Sequence, residues 1–179
     1  MSKNPKQKGG AFERKICKEL SLWISHGEHE DIFWRSAMSG GRSTVALKKG
    51  LKLKAQSGDV SAISSLGFKF TERFLIECKH YKNLEFAGLL RNRGKLLIFW
   101  QKAVVEAVNH SKLPILIAKQ NNYPTVIVLC SGGMEAFKLK YKTFNLVVPS
   151  YDMYIMTFDR FRKLKLRGKN VKKRKRLDG

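Results

Sequence analysis

Phe74-Leu-Ile-Glu-Cys-Lys-His80 is the stretch that most limits how this chain can fold. Phe74 to Ile76 is a short run of apolar, β-forming residues, which reads as a buried strand. Side chains alternate along a strand, so Glu77 and Lys79 share one face and Cys78 points to the other. A carboxylate and an ammonium at the end of an apolar strand are costly to bury. Upstream, Asp59 sits in Ser57-Gly-Asp-Val-Ser-Ala-Ile63, where alternation predicts a second strand. If the two strands are antiparallel neighbours, Asp59 lies beside Glu77. Two carboxylates at one strand end form a hard-oxygen site suited to Mg²⁺ or Mn²⁺. A lysine beside such an ion orients an attacking water or offsets charge on a phosphate. A strand with an ordinary Glu–Lys pair on its solvent face would show the same tripeptide. Asp59 and the context that follows separate the two readings.

The partner of such a site is indicated by charge. Thirty-six Lys and Arg against 14 Asp and Glu leave a formal net charge of +22. A surface this basic attracts a polyanion, either a nucleic acid or an anionic membrane. Membrane binding calls for a basic helix with an apolar face, and the basic C-terminal segment has little apolar face. No apolar run approaches the roughly 20 residues of a spanning helix. Hydrophobic residues make up 43% of the chain, enough for a real core in one domain. Cys17, Cys78 and Cys130 are few, odd in number and scattered, which argues for a reducing, cytoplasmic setting. The polar N-terminus reads as no signal peptide.

Taken in order, residues 1–9 read as a flexible basic arm, 10–166 as one domain and 167–179 as a basic tail that binds phosphates without sequence preference. A helix starts at Gly10, with Phe12, Ile16, Leu20 and Trp23 as its buried stripe. Glu13 lies next to that stripe. It either reaches the site as a third carboxylate or is a charge placed at a helix N-terminus. His26 and His29 have HxxH spacing but lie in a polar loop, which reads as solvated. Ile32–Arg35 is the first expected strand. The loop after it, Ser36–Thr44, is small and glycine-rich and carries Arg42. Its backbone N–H groups can approach a phosphate, although the P-loop spacing is absent. Lys48, Lys49, Lys52 and Lys54 follow, as a flap over a nucleic-acid backbone. Residues 81–95 read as an inserted loop or short helix. A helix over 97–111 is expected to turn Ile98, Ala103, Val104 and Val108 inward. Strands are expected at Leu113–Lys119, Pro124–Cys130 and Asp152–Met156. Thr157 is expected to cap a last helix running from Phe158 to about Leu166. This order gives an α/β (α+β) domain with a mixed central sheet flanked by helices.

The pattern resembles the PD-(D/E)XK nuclease superfamily, with its restriction-endonuclease-like fold. Within it, the pattern is similar to the archaeal-type Holliday junction resolvases and their phage relatives. The resemblance rests on Gly9-Gly-Ala-Phe-Glu13-Arg14, on Arg35 leading to Ser39-Gly40, on Asp59, and on Glu77-Cys-Lys79. It also includes the strand that ends at Lys119, and it spans roughly 8–120 and more loosely 150–166. It implies Glu13, Asp59 and Glu77 as metal carboxylates, Lys79 as the catalytic lysine, and Ser39 as a loop serine supporting cleavage. Arg14, Arg35 and Lys119 would join the DNA contacts, with Gly40, Gly41, Arg42, Lys48 and Lys49. It further implies a homodimer acting on branched or duplex DNA with Mg²⁺ or Mn²⁺. Asp59 follows Gly58, where the superfamily commonly has proline. Two other readings share these features. One is a different nuclease of the superfamily, such as a restriction-like, homing or repair nicking enzyme. The other is a non-catalytic basic nucleic-acid-binding protein on the same fold.

Overall fold

The structure, a computed structural model, describes residues 5–36 and 57–164. Helix α1 spans Pro5–Ile24. It starts five residues before the expected Gly10, so residues 5–9 are helical and not an arm. Proline suits a first helical position because its missing N–H has no intrahelical partner there. Gly9 and Gly10 are poor helix formers, yet the helix runs through them. Packing accounts for Gly10, since a Cβ there would meet the Arg35 guanidinium at 3.3 Å. The expected stripe holds: Phe12, Ile16, Leu20 and Trp23 are all buried. Ser21 ties the helix to the first strand. Its hydroxyl donates to Cys17 O and accepts from Phe33 N–H.

Strands β1 (Phe33–Arg35) and β2 (Val60–Ala62) form a separate antiparallel pair, with Trp34 opposite Ser61. Helix α2 (Ser65–Arg73), which the sequence reading did not foresee, follows and buries Gly67 and Phe70. A Cβ on Gly67 would come within 2.8 Å of Ala62 and Phe33, so glycine lets α2 lie close on the strand pair. The chain passes straight into β3 (Phe74–Tyr81). A single 3₁₀ segment, Phe86–Arg91, breaks the connection to α3 (Lys95–Asn109). Then come β4 (Leu113–Gln120), β5 (Val126–Leu129), α4 (Ser131–Ala136), β6 (Leu146–Val148), β7 (Met153–Thr157) and α5 (Phe158–Arg162). Thr157 caps α5 as expected, its Oγ1 accepting from Arg160 N–H at 3.3 Å.

The main sheet has the order β3-β4-β5-β7-β6. β3 and β4 are parallel, joined across α3, and the other pairs are antiparallel. This is the expected mixed sheet flanked by helices. One face packs against α1, α2 and α5 through Ile76, Cys78, Ile115, Ile117, Ile127 and Phe70. The other packs against α3 through Leu116, Ala118, Val128 and Trp100. No helix among the described residues is long and apolar enough to cross a membrane.

Two further expectations need correction. Asp59 does not reach β3 through an antiparallel β2–β3 ladder, because β2 pairs only with β1. The inward face of α3 is also different. Leu96, Leu97, Trp100, Ala103 and Ala107 are buried, whereas Ile98 is 48% and Val108 68% exposed. Apolar residues cover most of this helix, so periodicity alone does not phase it. The largest side chain decides: Trp100 is buried and its indole N–H donates to Tyr151 O at 2.9 Å. Leu97→Ala is therefore expected to cost about 2–5 kcal/mol in urea unfolding. Val108→Ala should stay within about 0.5 kcal/mol. The reverse ranking would restore the original phase.

Candidate active site

β3 is the edge of the main sheet. An edge strand presents unpaired backbone groups that something must satisfy. Here Asp59 does so. Its N–H donates to Ile76 O at 2.8 Å, and its Oδ2 accepts from Cys78 N–H at 2.8 Å. Its own carbonyl accepts from Ser36 N–H at 3.0 Å. Gly58 makes the approach possible. It has φ +76°, and a Cβ there would lie 2.7 Å from Ile76 O. A side chain is excluded by both backbone conformation and space. One residue earlier, buried Ser57 accepts from Lys112 Nζ at 2.9 Å, which pins the segment to the start of β4.

The clamp sets the acid beside the charged end of β3. Lys79 Nζ lies 2.6 Å from Glu77 Oε2 and 3.5 Å from Asp59 Oδ2. Asp59, Glu77 and Lys79 are thus brought together as expected, with Lys79 touching both acids. All three are part-buried. Burial first, then the Asp59 charge, pushes the Glu77 carboxyl up to about 7. Glu106 on α3 adds to that push. Burial opposes the charge on Lys79, but the Asp59 and Glu77 carboxylates outweigh it and raise its pKa. The ammonium therefore stays protonated at neutral pH. Buried ion clusters are weak contributors to stability. A strongly shifted acid beside a second acid and a lysine marks this locus as the candidate site.

Glu13 is placed differently. Its Oε2 accepts a short hydrogen bond from Arg35 Nε. It lies on the α1 side of β3, where Cys17 and Cys78 are. There, burial and then Glu13 hold the Cys17 thiol at about 12. Glu77 and Lys79 are on the opposite face, with strand β3 between. Among the described residues, no three His, Cys, Asp or Glu side chains group closely enough to hold a metal ion. Asp59 and Glu77 thus share Lys79, while Glu13 is paired with Arg35. Arg14 joins that second cluster, since its guanidinium and that of Arg35 lie 3.6 and 3.3 Å from where a Gly10 Cβ would stand. Lys119 is on the α1 face as well, in register with His80 and not with Lys79, and its ammonium donates to Tyr123 O. Ser39, Gly40, Gly41, Arg42, Lys48, Lys49 and the tail from 167 lie outside the described residues.

Gly58 was noted in the sequence only as a departure from the superfamily's proline, and its part in the approach to β3 went unread. Glu106 went unremarked, because its proximity to Glu77 depends on how α3 is phased.

A family model described as "Phage putative PDDEXK endonuclease" matches residues 4–170. No curated protein and no solved structure matches the chain significantly. The mixed sheet flanked by helices is that of a restriction-endonuclease-like fold.

The raised Glu77 pKa carries a pH signature in metal-free protein. Unfolded, this carboxyl titrates near its ordinary 4.5, and folded near about 7. The folded state binds the proton more tightly, so ionisation destabilises it progressively from pH 4.5 to about 7 and fully above. Glu77→Gln lacks this loss. Its stability relative to wild type, measured by urea unfolding in EDTA, should rise across that window and level off above it. A difference that stays flat or falls would contradict the placement of Glu77.

Proposed function

This chain belongs to the phage putative PDDEXK endonuclease family, and from that premise we propose that it hydrolyses DNA phosphodiesters with a divalent cation and resolves four-way junctions as a homodimer. The observation that carries the reading is the convergence of Asp59, Glu77 and Lys79 at the edge of β3.

The donor set fits a divalent ion. Asp59 and Glu77 are hard oxygen donors whose charges oppose each other strongly enough to help raise Glu77. Such a cation, Mg²⁺ or Mn²⁺, lowers the pKa of water and offsets charge on the scissile phosphate. The Asp59 carboxylate is fixed by Cys78 N–H, so it is oriented before any ligand arrives. Lys79 keeps its proton and supplies positive charge, positioning the attacking water or the crowded phosphorane-like transition state. Arg14 and Arg35 contact flanking phosphates, with Glu13 orienting Arg35 or serving as a third carboxylate once DNA is bound. In this reading Ser39, the Gly40–Gly41 backbone, Arg42, Lys48, Lys49 and Lys119 complete the phosphate contacts. The net charge of +22 supplies affinity that falls steeply with salt. A two-fold dimer presents two such sites to paired strands of a four-way junction.

The deciding assay uses an immobile four-way junction and a linear duplex of the same arms, each with Mg²⁺ or EDTA. Paired symmetric nicks in the junction alone, lost in EDTA, are the expected result. Equal cutting of both substrates would keep the chemistry and discard the junction preference. Tight binding without cleavage under any divalent ion would leave a non-catalytic DNA-binding protein. Asp59→Asn should lower cleavage by at least roughly 10²-fold while binding the junction about as tightly as wild type in a gel-shift titration. An Asp59→Asn variant that cuts like wild type would remove the metal-site assignment.

A further inference from the structure

Beside the charged end of β3 lies a cavity of about 520 Å³, within the range of small-ligand pockets. Phe86, Tyr123, Gln120, Arg93, Glu85 and Asn83 line it. Its position follows from strand register. Lys79 pairs with Ala118, and Tyr81 with Gln120, across parallel strands. Gln120 is two residues beyond Ala118, so it faces the same side of the sheet as Glu77 and Lys79. A two-residue step along β4 and one strand across put it roughly 8 Å from Lys79, Cα to Cα. That is about one nucleotide from a phosphate held at Lys79.

The lining has the chemistry of a base pocket. The Phe86 and Tyr123 rings are tilted by 33° with centroids 6.0 Å apart, a wedge and not a full stack. Tyr123 is 52% exposed, which leaves part of its ring open to a ligand. Gln120 is buried, and its Oε1 accepts from Leu84 N–H at 2.7 Å. With Oε1 holding Leu84 N–H, the amide NH₂ is the donor that Gln120 can offer a ligand. Arg93 is a second donor. The Glu85 carboxylate is countered by Lys95 at 3.5 Å. The walls are held by backbone bonds from Tyr123 N–H to Gln120 O, Leu96 N–H to Leu84 O and Arg93 N–H to Gly88 O. The pocket is thus formed before a ligand arrives.

We propose that this cavity receives one unstacked, carbonyl-bearing nucleobase of the DNA, next to the scissile phosphate. The inference rests on the endonuclease reading and adds to it a point where base and strand geometry are felt. Aromatic wedges and fixed donors recognise a base only once it has left the stack. Duplex DNA holds its bases stacked, whereas a junction or other distortion releases one at lower cost. A substrate preference can arise at this pocket without any reading of an intact groove.

The test is photocross-linking of the full chain in EDTA to a set of four-way junctions. Each junction carries one 5-iodouracil, moved base by base across the crossover. Cross-linking at one or two positions, mapped to Tyr123 or Phe86, is the expected result. Tyr123→Ala should weaken binding to those junctions roughly tenfold, the scale of one base–aromatic stack. An abasic nucleotide at the same position should remove that difference. Tyr123→Leu, which keeps an apolar side chain at this exposed position, should bind as weakly as Tyr123→Ala. Cross-links confined to other residues would overturn the pocket, as would free 5-iodo-dUMP cross-linking as well as the DNA. Parallel incubation with Mg²⁺ separates the two claims. Cleavage without a pocket cross-link discards the pocket alone. A pocket cross-link without cleavage discards the endonuclease reading and keeps the base site.

Discussion

The hydrogen bond from Cys78 N–H to the Asp59 carboxylate is the contact on which this molecule's site depends. It solves a structural problem and a chemical one together. β3 is an edge strand, and its backbone groups at Ile76 and Cys78 need partners. A neighbouring strand would satisfy them and would also fill the space with side chains. Asp59 satisfies them with one N–H and one carboxylate oxygen, leaving the end of the strand open. Gly58 and Ser57 exist, in physical terms, to let that approach happen. The first tolerates a positive φ against Ile76 O, and the second anchors the segment through Lys112.

Strand alternation then sorts the chemistry onto two sides. Glu77 and Lys79 face α3, while Cys78 and His80 face α1. The α1 side carries its own polar group: Glu13 with Arg35, Arg14 near Gly10, and Lys8 donating to Asn121 beside His80. A strand with carboxylate and lysine on one side and guanidiniums on the other can engage successive phosphates of one backbone. In the structure itself the acids are balanced by Lys79, and Arg35 is balanced by Glu13. Neither cluster adds much to folding, because part-buried charges recover little more than their desolvation. The two apolar faces of the sheet provide the stability that lets such a site exist.

Much of this was legible in the sequence wherever one periodicity dominated. The α1 stripe, the apolar run of β3 and the shared face of Glu77 and Lys79 follow from spacing alone. So does the Thr157 cap, whose side chain does the expected job. The failures share a physical cause. α3 is apolar on more than one side, so its phase was decided by Trp100 and not by the pattern. α2 carries a glycine in its buried face, which lowers its apparent helix propensity and hides it. β2 is only three residues long, and no local signal says that it pairs with β1. Glu13 was left open between a third carboxylate and a charge at a helix N-terminus; the second fails because α1 starts at Pro5 and Glu13 lies well inside it, and the first depends on which side of β3 the helix packs. That is a tertiary fact no window of sequence contains.

Charge and shape divide the work of recognition in such a molecule. A surplus of 22 positive charges binds any polyanion, and counterion release does not distinguish one DNA form from another. On the proposed reading the Asp59–Glu77–Lys79 cluster does not either, since it would contact only a phosphate and its neighbours. Discrimination must therefore come from elements whose contacts depend on the conformation of the nucleic acid. Those are preformed cavities and aromatic side chains near the reacting phosphate, not lysines spread over the surface. In the described part of this chain, the face that carries Glu77 and Lys79 is also the face where Gln120 and the Phe86–Tyr123 wedge lie. On the proposed reading, chemistry and the means to be selective about its substrate sit within a few residues of each other, on the parallel strand pair β3–β4.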